Sequence, residues 1–107
     1  MPSQEYLDLL AGMRELHIKK SAGYSGADNP DAWANFRRAL EFGVQPEIGA
    51  LIRLSDKFSR LTTLVRDPAN DQLSDENIED TAIDLAAYAL IYVCLRRERL
   101  LHKVEID

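Results

Sequence analysis

A single cysteine in 107 residues rules out an internal disulfide. That cysteine, Cys94, falls in an apolar helical stretch and reads as a small core residue. With no covalent staple, a reducing, cytoplasmic setting is expected. Long apolar runs are also missing. No stretch approaches the roughly 20 residues of a membrane-spanning helix, so a membrane is not an expected partner. The opening Met1-Pro-Ser-Gln-Glu-Tyr-Leu-Asp8 lacks the basic start and apolar run of a secretory signal. Positive charge is in deficit: 13 Lys and Arg against 18 Asp and Glu leave a net charge of −5, which argues against duplex nucleic acid as a ligand. A basic pocket inside an acidic protein still suits a nucleotide. The common catalytic signatures are absent too. There is no Gly-x-Ser-x-Gly elbow, no phosphate-binding glycine loop followed by Lys-Ser/Thr, and no zinc spacing. No thiol–histidine pair stands out, because His17 and His102 lie at predicted helix ends.

Hydrophobic residues make up 46% of the chain, a globular composition for one domain over residues 1–107. The sequence shows no repeat, no low-complexity segment and no strand alternation. Apolar residues instead recur at helical spacing, which predicts an all-α bundle of four helices. The first helix starts after Ser3, a hydroxyl cap, carries Tyr6, Leu9, Leu10, Met13 and Leu16 on one face, and ends at Lys19-Lys20. A glycine-rich loop holding Tyr24 follows. Asn29-Pro30-Asp31 opens a second helix through about Phe42, closed by Gly43. Trp33 and Phe36 read as core residues. Asn35, a poor helix former in mid-helix, has no evident local role.

The third helix starts at Val44-Gln-Pro-Glu47 and runs to about Val65. Ile48, Leu51, Leu54, Phe58, Leu61 and Val65 form its apolar seam, and Arg53, Asp56, Lys57 and Arg60 recur on the other side. The short turn after Asp67 makes the third and fourth helices antiparallel neighbours. The fourth helix begins at the cap Ser74 and continues to about His102, before a loose tail. Its apolar middle is broad enough to imply a second subunit, a dimer or tetramer of the same chain.

Glu76, Asp80 and Asp84 recur every four residues at the start of that fourth helix. Stacked carboxylates repel one another by a few tenths of a kcal/mol per exposed pair unless cations face them. The ordinary reading is a solvated first turn with dipole-compatible charge. The functional reading places Mg²⁺ or the basic third-helix face opposite them. Several carboxylates on adjacent helices can hold Mg²⁺ through oxygen, and Lys and Arg can neutralise the rest of a polyphosphate.

Four segments carry a resemblance: Asn35-Phe-Arg, Gly43-Val-x-Pro-Glu-x-Gly49, Leu51-Ile-Arg-Leu-Ser-Asp-Lys-Phe-Ser-Arg-Leu61 and Asp75-Glu-x-Ile-Glu-Asp-Thr-x-x-Asp-Leu-Ala-x-Tyr-Ala-Leu90. Together, over about Lys20 to Ile91, they resemble the nucleotide-modification-associated domains of phages and bacteria. More distantly they are similar to MazG-type all-α nucleoside triphosphate pyrophosphohydrolases. The latter cleave a nucleoside triphosphate to monophosphate and pyrophosphate, with Mg²⁺ held by a Glu-x-x-Glu and a later Glu-x-x-Asp. Asp84 matches the last position of the second motif. Thr81 stands three residues before it, so Asp80 or Glu79 substitutes there. At the first motif, Asp56 or Lys57 and then Arg60 replace the glutamates, and basic groups cannot ligate Mg²⁺.

The resemblance therefore implies a metal set of Asp56, Glu76, Asp80 and Asp84, with Glu79 as the water-orienting base. Arg53, Lys57, Arg60 and Lys20 would meet phosphates, and Tyr24, Trp33 and Asn35 the base, in the cytoplasm of the cell or of a phage host. The alternative is a binding module that holds a nucleotide or nucleotide signal without metal, with Lys57–Asp80 and Arg60–Asp84 as salt bridges. A third reading, a purely structural oligomerisation module, makes the charged faces an ion network and nothing more.

Overall fold

A computed structural model describes the backbone of residues 1–25, 31–67 and 71–106, and the side chains of residues 1–21, 31–67 and 77–102. The described residues form helices with short turns between them and no strand, as the periodicity predicts. α1 spans Gln4–Ser25, α2 Ala34–Arg37, α3 Pro46–Arg66 and α4 Asp71–Ile106, with a 3₁₀ segment, Arg38–Phe42, continuing α2.

The helix ends show which local signals prevail. Ser3 caps α1, its Oγ accepting the Tyr6 N–H at 3.2 Å. α1 does not stop at Lys20. It runs through Ser25, with the Ser21 hydroxyl donating to the Ile18 carbonyl at 2.9 Å. A lone Gly23 costs a helix only about 1 kcal/mol, too little to end it. The expected second helix is a single α turn followed by a 3₁₀ turn. It starts at Ala34 with Trp33 in the N-cap position, after a turn in which the Asp31 carboxylate accepts the Trp33 N–H at 3.0 Å; Asn29 and Pro30 lie outside the described residues. Gly43 closes the segment at φ 74°, as expected of a left-handed C-terminal residue. α4 starts at Asp71, so Ser74 lies inside the helix rather than capping it. Nothing in Asp71-Gln-Leu73 breaks a helix, and Asp71 itself suits the first turn. At the other end the helix continues through Ile106, where a tail was expected.

α3 and α4 pack antiparallel, as the short turn predicts. Glu47 meets Arg99, Arg53 lies over Tyr88, and Lys57 meets Asp84, so the contacts run down one helix as they run up the other. Ala50, Ile91 and Leu95 are the buried apolar core, with Trp33, Phe36, Tyr88 and Tyr92 packed against it. The predicted α3 seam is split. Leu54 and Leu61 are half-buried, whereas Ile48, Leu51, Phe58 and Val65 are exposed. The face toward α4 is taken instead by Glu47, Ala50 and Lys57. Cys94, expected in the core, is exposed at a groove between α1 and α4.

Two charge clusters fix the elements around the core. The Arg37 guanidinium binds Asp31 through two nitrogens and donates to Glu98 at 2.8 Å, tying α2 to the distal half of α4. Arg99 donates to Glu47, a residue only 3% exposed. A buried carboxylate requires such a partner, because its isolated charge is costly to desolvate.

Candidate functional site: a carboxylate held by two lysines

Midway along α4, Asp84 faces α3. Its Oδ2 lies 3.4 Å from the Lys57 Nζ, and its Oδ1 3.3 Å from the Lys20 Nζ. Three helices thus meet in one charge cluster. Asp84 and Lys57 keep 25% of their side-chain exposure and Lys20 keeps 45%, so Lys57 is the more desolvated of the two cations. Two ammoniums on one carboxylate leave a net positive charge in a protein whose total is −5.

The sequence placed Lys20, Lys57 and Asp84 among site residues, and the fold brings these three together. Their pairing differs from the expectation: Lys57 pairs with Asp84, not Asp80, and Arg60 makes no ion pair with Asp84. The register explains this. The α3–α4 contacts set Ala50 near Ile91, Arg53 near Tyr88 and Lys57 near Asp84, so Arg60 falls one turn beyond Asp84. Lys20 reaches the site because α1 continues past it; its charge does not serve a helix terminus.

The other expected residues are spread out. Glu79, Asp80, Asp56 and Arg60 are exposed. The side chains of Tyr24 and Glu76 lie outside the described residues. The expected base contacts are separated as well. Trp33 stacks against His17, ring centroids 5.5 Å apart, and lines the apolar groove between α1 and α4 with Lys20. Asn35 instead lines a cleft between α2 and α3 together with Arg53. Tyr88, part of the fourth-helix motif but given no role from the sequence, sits at that cleft beneath Arg53, the guanidinium carbon 5.8 Å from its ring centroid. The signal for it was its position, one helical turn after Asp84, facing the helix that carries Arg53.

Mg²⁺ needs several oxygen ligands in near-octahedral array. Each oxygen of Asp84 already faces an ammonium, and among the described residues no three Asp, Glu, His or Cys side chains stand close enough to hold a metal. Among the described donors alone no Mg²⁺ site is assembled, and the side chain of Glu76, one of the four expected ligands, lies outside them. Two ammoniums on one carboxylate are cationic groups of the type that engage anions. No helix of the described residues is long and apolar enough to cross a membrane. No protein-family model, curated protein or solved structure matches the chain, so the resemblance rests on its motifs alone.

Proposed function

We propose that the chain is a nucleotide-binding protein whose polyphosphate docks at Lys57 and Lys20, with Arg53 and Arg60 one turn to either side along α3. The observation that carries this reading is the Lys20–Asp84–Lys57 cluster. Asp84 holds the two cations in place until a phosphate competes for them. Charge-assisted contacts to phosphate are stronger than neutral hydrogen bonds, and at a half-buried site water screens them less. The resemblance to nucleotide-modification-associated domains supports the same ligand class.

Calorimetric titration of nucleoside triphosphates in chelator tests it. Saturable binding is expected, and Lys57→Gln should weaken it roughly tenfold or more, the loss of one charged contact of about 1.5–3 kcal/mol. Absence of saturation for every nucleotide at millimolar concentration overturns it. A second reading, Mg²⁺-dependent cleavage to monophosphate and pyrophosphate with Glu79 orienting water, is favoured by Asp80 and Asp84 standing one turn apart on α4. Product analysis with Mg²⁺ and with chelator separates the two. Metal-dependent pyrophosphate establishes cleavage, and its absence with retained binding establishes a holding protein.

The functional unit in this proposal is a homo-oligomer, a dimer or tetramer, in which the helices complete a four-helix bundle. The single chain exposes 8209 Å². A compact monomer of this mass exposes about 6,000 Å². The excess, about 2,000 Å², is comparable in size to one subunit's share of a large obligate interface. Ile48, Leu51, Ile52, Phe58 and Val65 on the outer side of α3 offer the apolar stripe that a second copy would cover.

A further inference from the structure

We infer that the cleft between α2 and α3 is the subsite for a planar heterocyclic base, one helical turn from the lysine-held Asp84; this rests on the nucleotide reading above. The cleft has a volume of about 340 Å³ and is lined by Asn35, Phe36, Ala39, Gly49, Arg53 and Tyr88. Its walls are of the kinds that bind bases. Tyr88 and Phe36 meet edge to face at 6.4 Å and 73°. The Arg53 guanidinium lies over the Tyr88 ring. Aromatic rings and guanidinium planes are the surfaces on which unstacked bases lie. Asn35, a residue type able both to donate and to accept, stands in the cleft lining.

Gly49 strengthens the case. It sits inside α3, where glycine is costlier than alanine. Neither backbone angle nor packing demands it. Its φ is not positive, and a Cβ added there would meet only the Ala39 Cβ at 3.7 Å, an ordinary contact. Its bare Cα lines the cleft opposite Ala39, so a larger side chain here would enter that space. The cleft is also in register with the phosphate site. Arg53 and Tyr88 each lie one turn from Lys57 and Asp84 on the same two helices, about 5–6 Å along the axis, a step that a sugar can bridge.

The test compares a panel of nucleoside triphosphates with inorganic tripolyphosphate, by calorimetry in chelator. The wild-type chain should bind its preferred nucleotide at least tenfold more tightly than tripolyphosphate. Gly49→Leu, which fills the cleft, should bring nucleotide affinity down to that of tripolyphosphate and leave tripolyphosphate itself unchanged. Asn35→Ala, at an exposed position, should compress the ranking among bases with the same sparing of tripolyphosphate, and it decides the matter if Gly49→Leu does not fold. Equal wild-type affinity for nucleotide and tripolyphosphate, or folded variants that weaken both ligands alike, overturns the base subsite and leaves the phosphate site standing. If neither ligand saturates, the phosphate reading fails and this inference fails with it.

Discussion

Asp84 shows how one residue separates holding from cleaving. In the free protein its carboxylate is the counter-ion of Lys20 and Lys57, and therefore the competitor of any phosphate that they bind. Asp84→Asn removes that competing charge and keeps the shape; its one amide oxygen still accepts from a lysine, while its NH₂ can only donate. In chelator the variant should bind nucleoside triphosphate several-fold more tightly, up to roughly tenfold, equivalent to about 1.4 kcal/mol. The cleavage reading requires the reverse, lost turnover and lost Mg²⁺ dependence. Titration and product assays on this one variant discriminate the two.

At the scale of elements, two joints hold the short α2 and 3₁₀ segment against the long pair. Gly43 lets the chain reverse at φ 74°. Nothing lies within 4 Å of where its Cβ would be, so the cost of a side chain there is conformational alone. Gly43→Ala should lower stability by about 1 kcal/mol in urea unfolding, without altering ligand affinity. The second joint is Asp31–Arg37–Glu98. Arg37 holds the Asp31 carboxyl below its ordinary value of 3.8, chiefly through their hydrogen bond, and the Trp33 N–H adds to it. The same bond raises the guanidinium further above its already high value. A carboxyl lowered on folding adds stability above its unfolded value and loses it as pH falls through the folded one. Thermal melts should therefore show a decline in stability below about pH 4 that is shallower in Asp31→Asn, which is also the less stable protein at neutral pH.

At the scale of the whole molecule, the chain is elongated. α4 has 36 residues, about 54 Å of helix, and the radius of gyration is 16.2 Å against about 13 Å for a compact chain of this length. Only Ala50, Ile91 and Leu95 are buried apolar residues among those described. So small a core makes each of its members matter. Leu95→Ala should cost about 3 kcal/mol, read by chemical unfolding. The outward stripe on α3 gives the complementary prediction. Sedimentation should find the wild-type chain as a dimer or tetramer, and Phe58→Glu should shift it to monomer while circular dichroism stays helical. A wild-type chain that is monomeric at all concentrations would remove the oligomer.

Local chemistry determined a good deal. Helical spacing specified the all-α class. Ser3 and Gly43 marked boundaries that hold, because a cap or a left-handed residue acts within its own turn. The short turn expected after Asp67 gave the antiparallel α3–α4 pair, and resemblance over the α3 and α4 motifs picked out Lys57 and Asp84. Tertiary structure decided what depends on rotation and register between helices. It paired Lys57 with Asp84, turned Phe58 and Val65 outward, buried Glu47 against Arg99, and separated Trp33 from Asn35. It also brought Lys20 across from α1, once the continuation of that helix past Lys20 had set where the side chain points. A periodicity gives two candidate faces for an amphipathic helix with charges on both sides. Only the packing of α3 on α4 selected one of them, because burial of Ala50, Ile91 and Leu95 and the pairing of Glu47 are gained together in a single register.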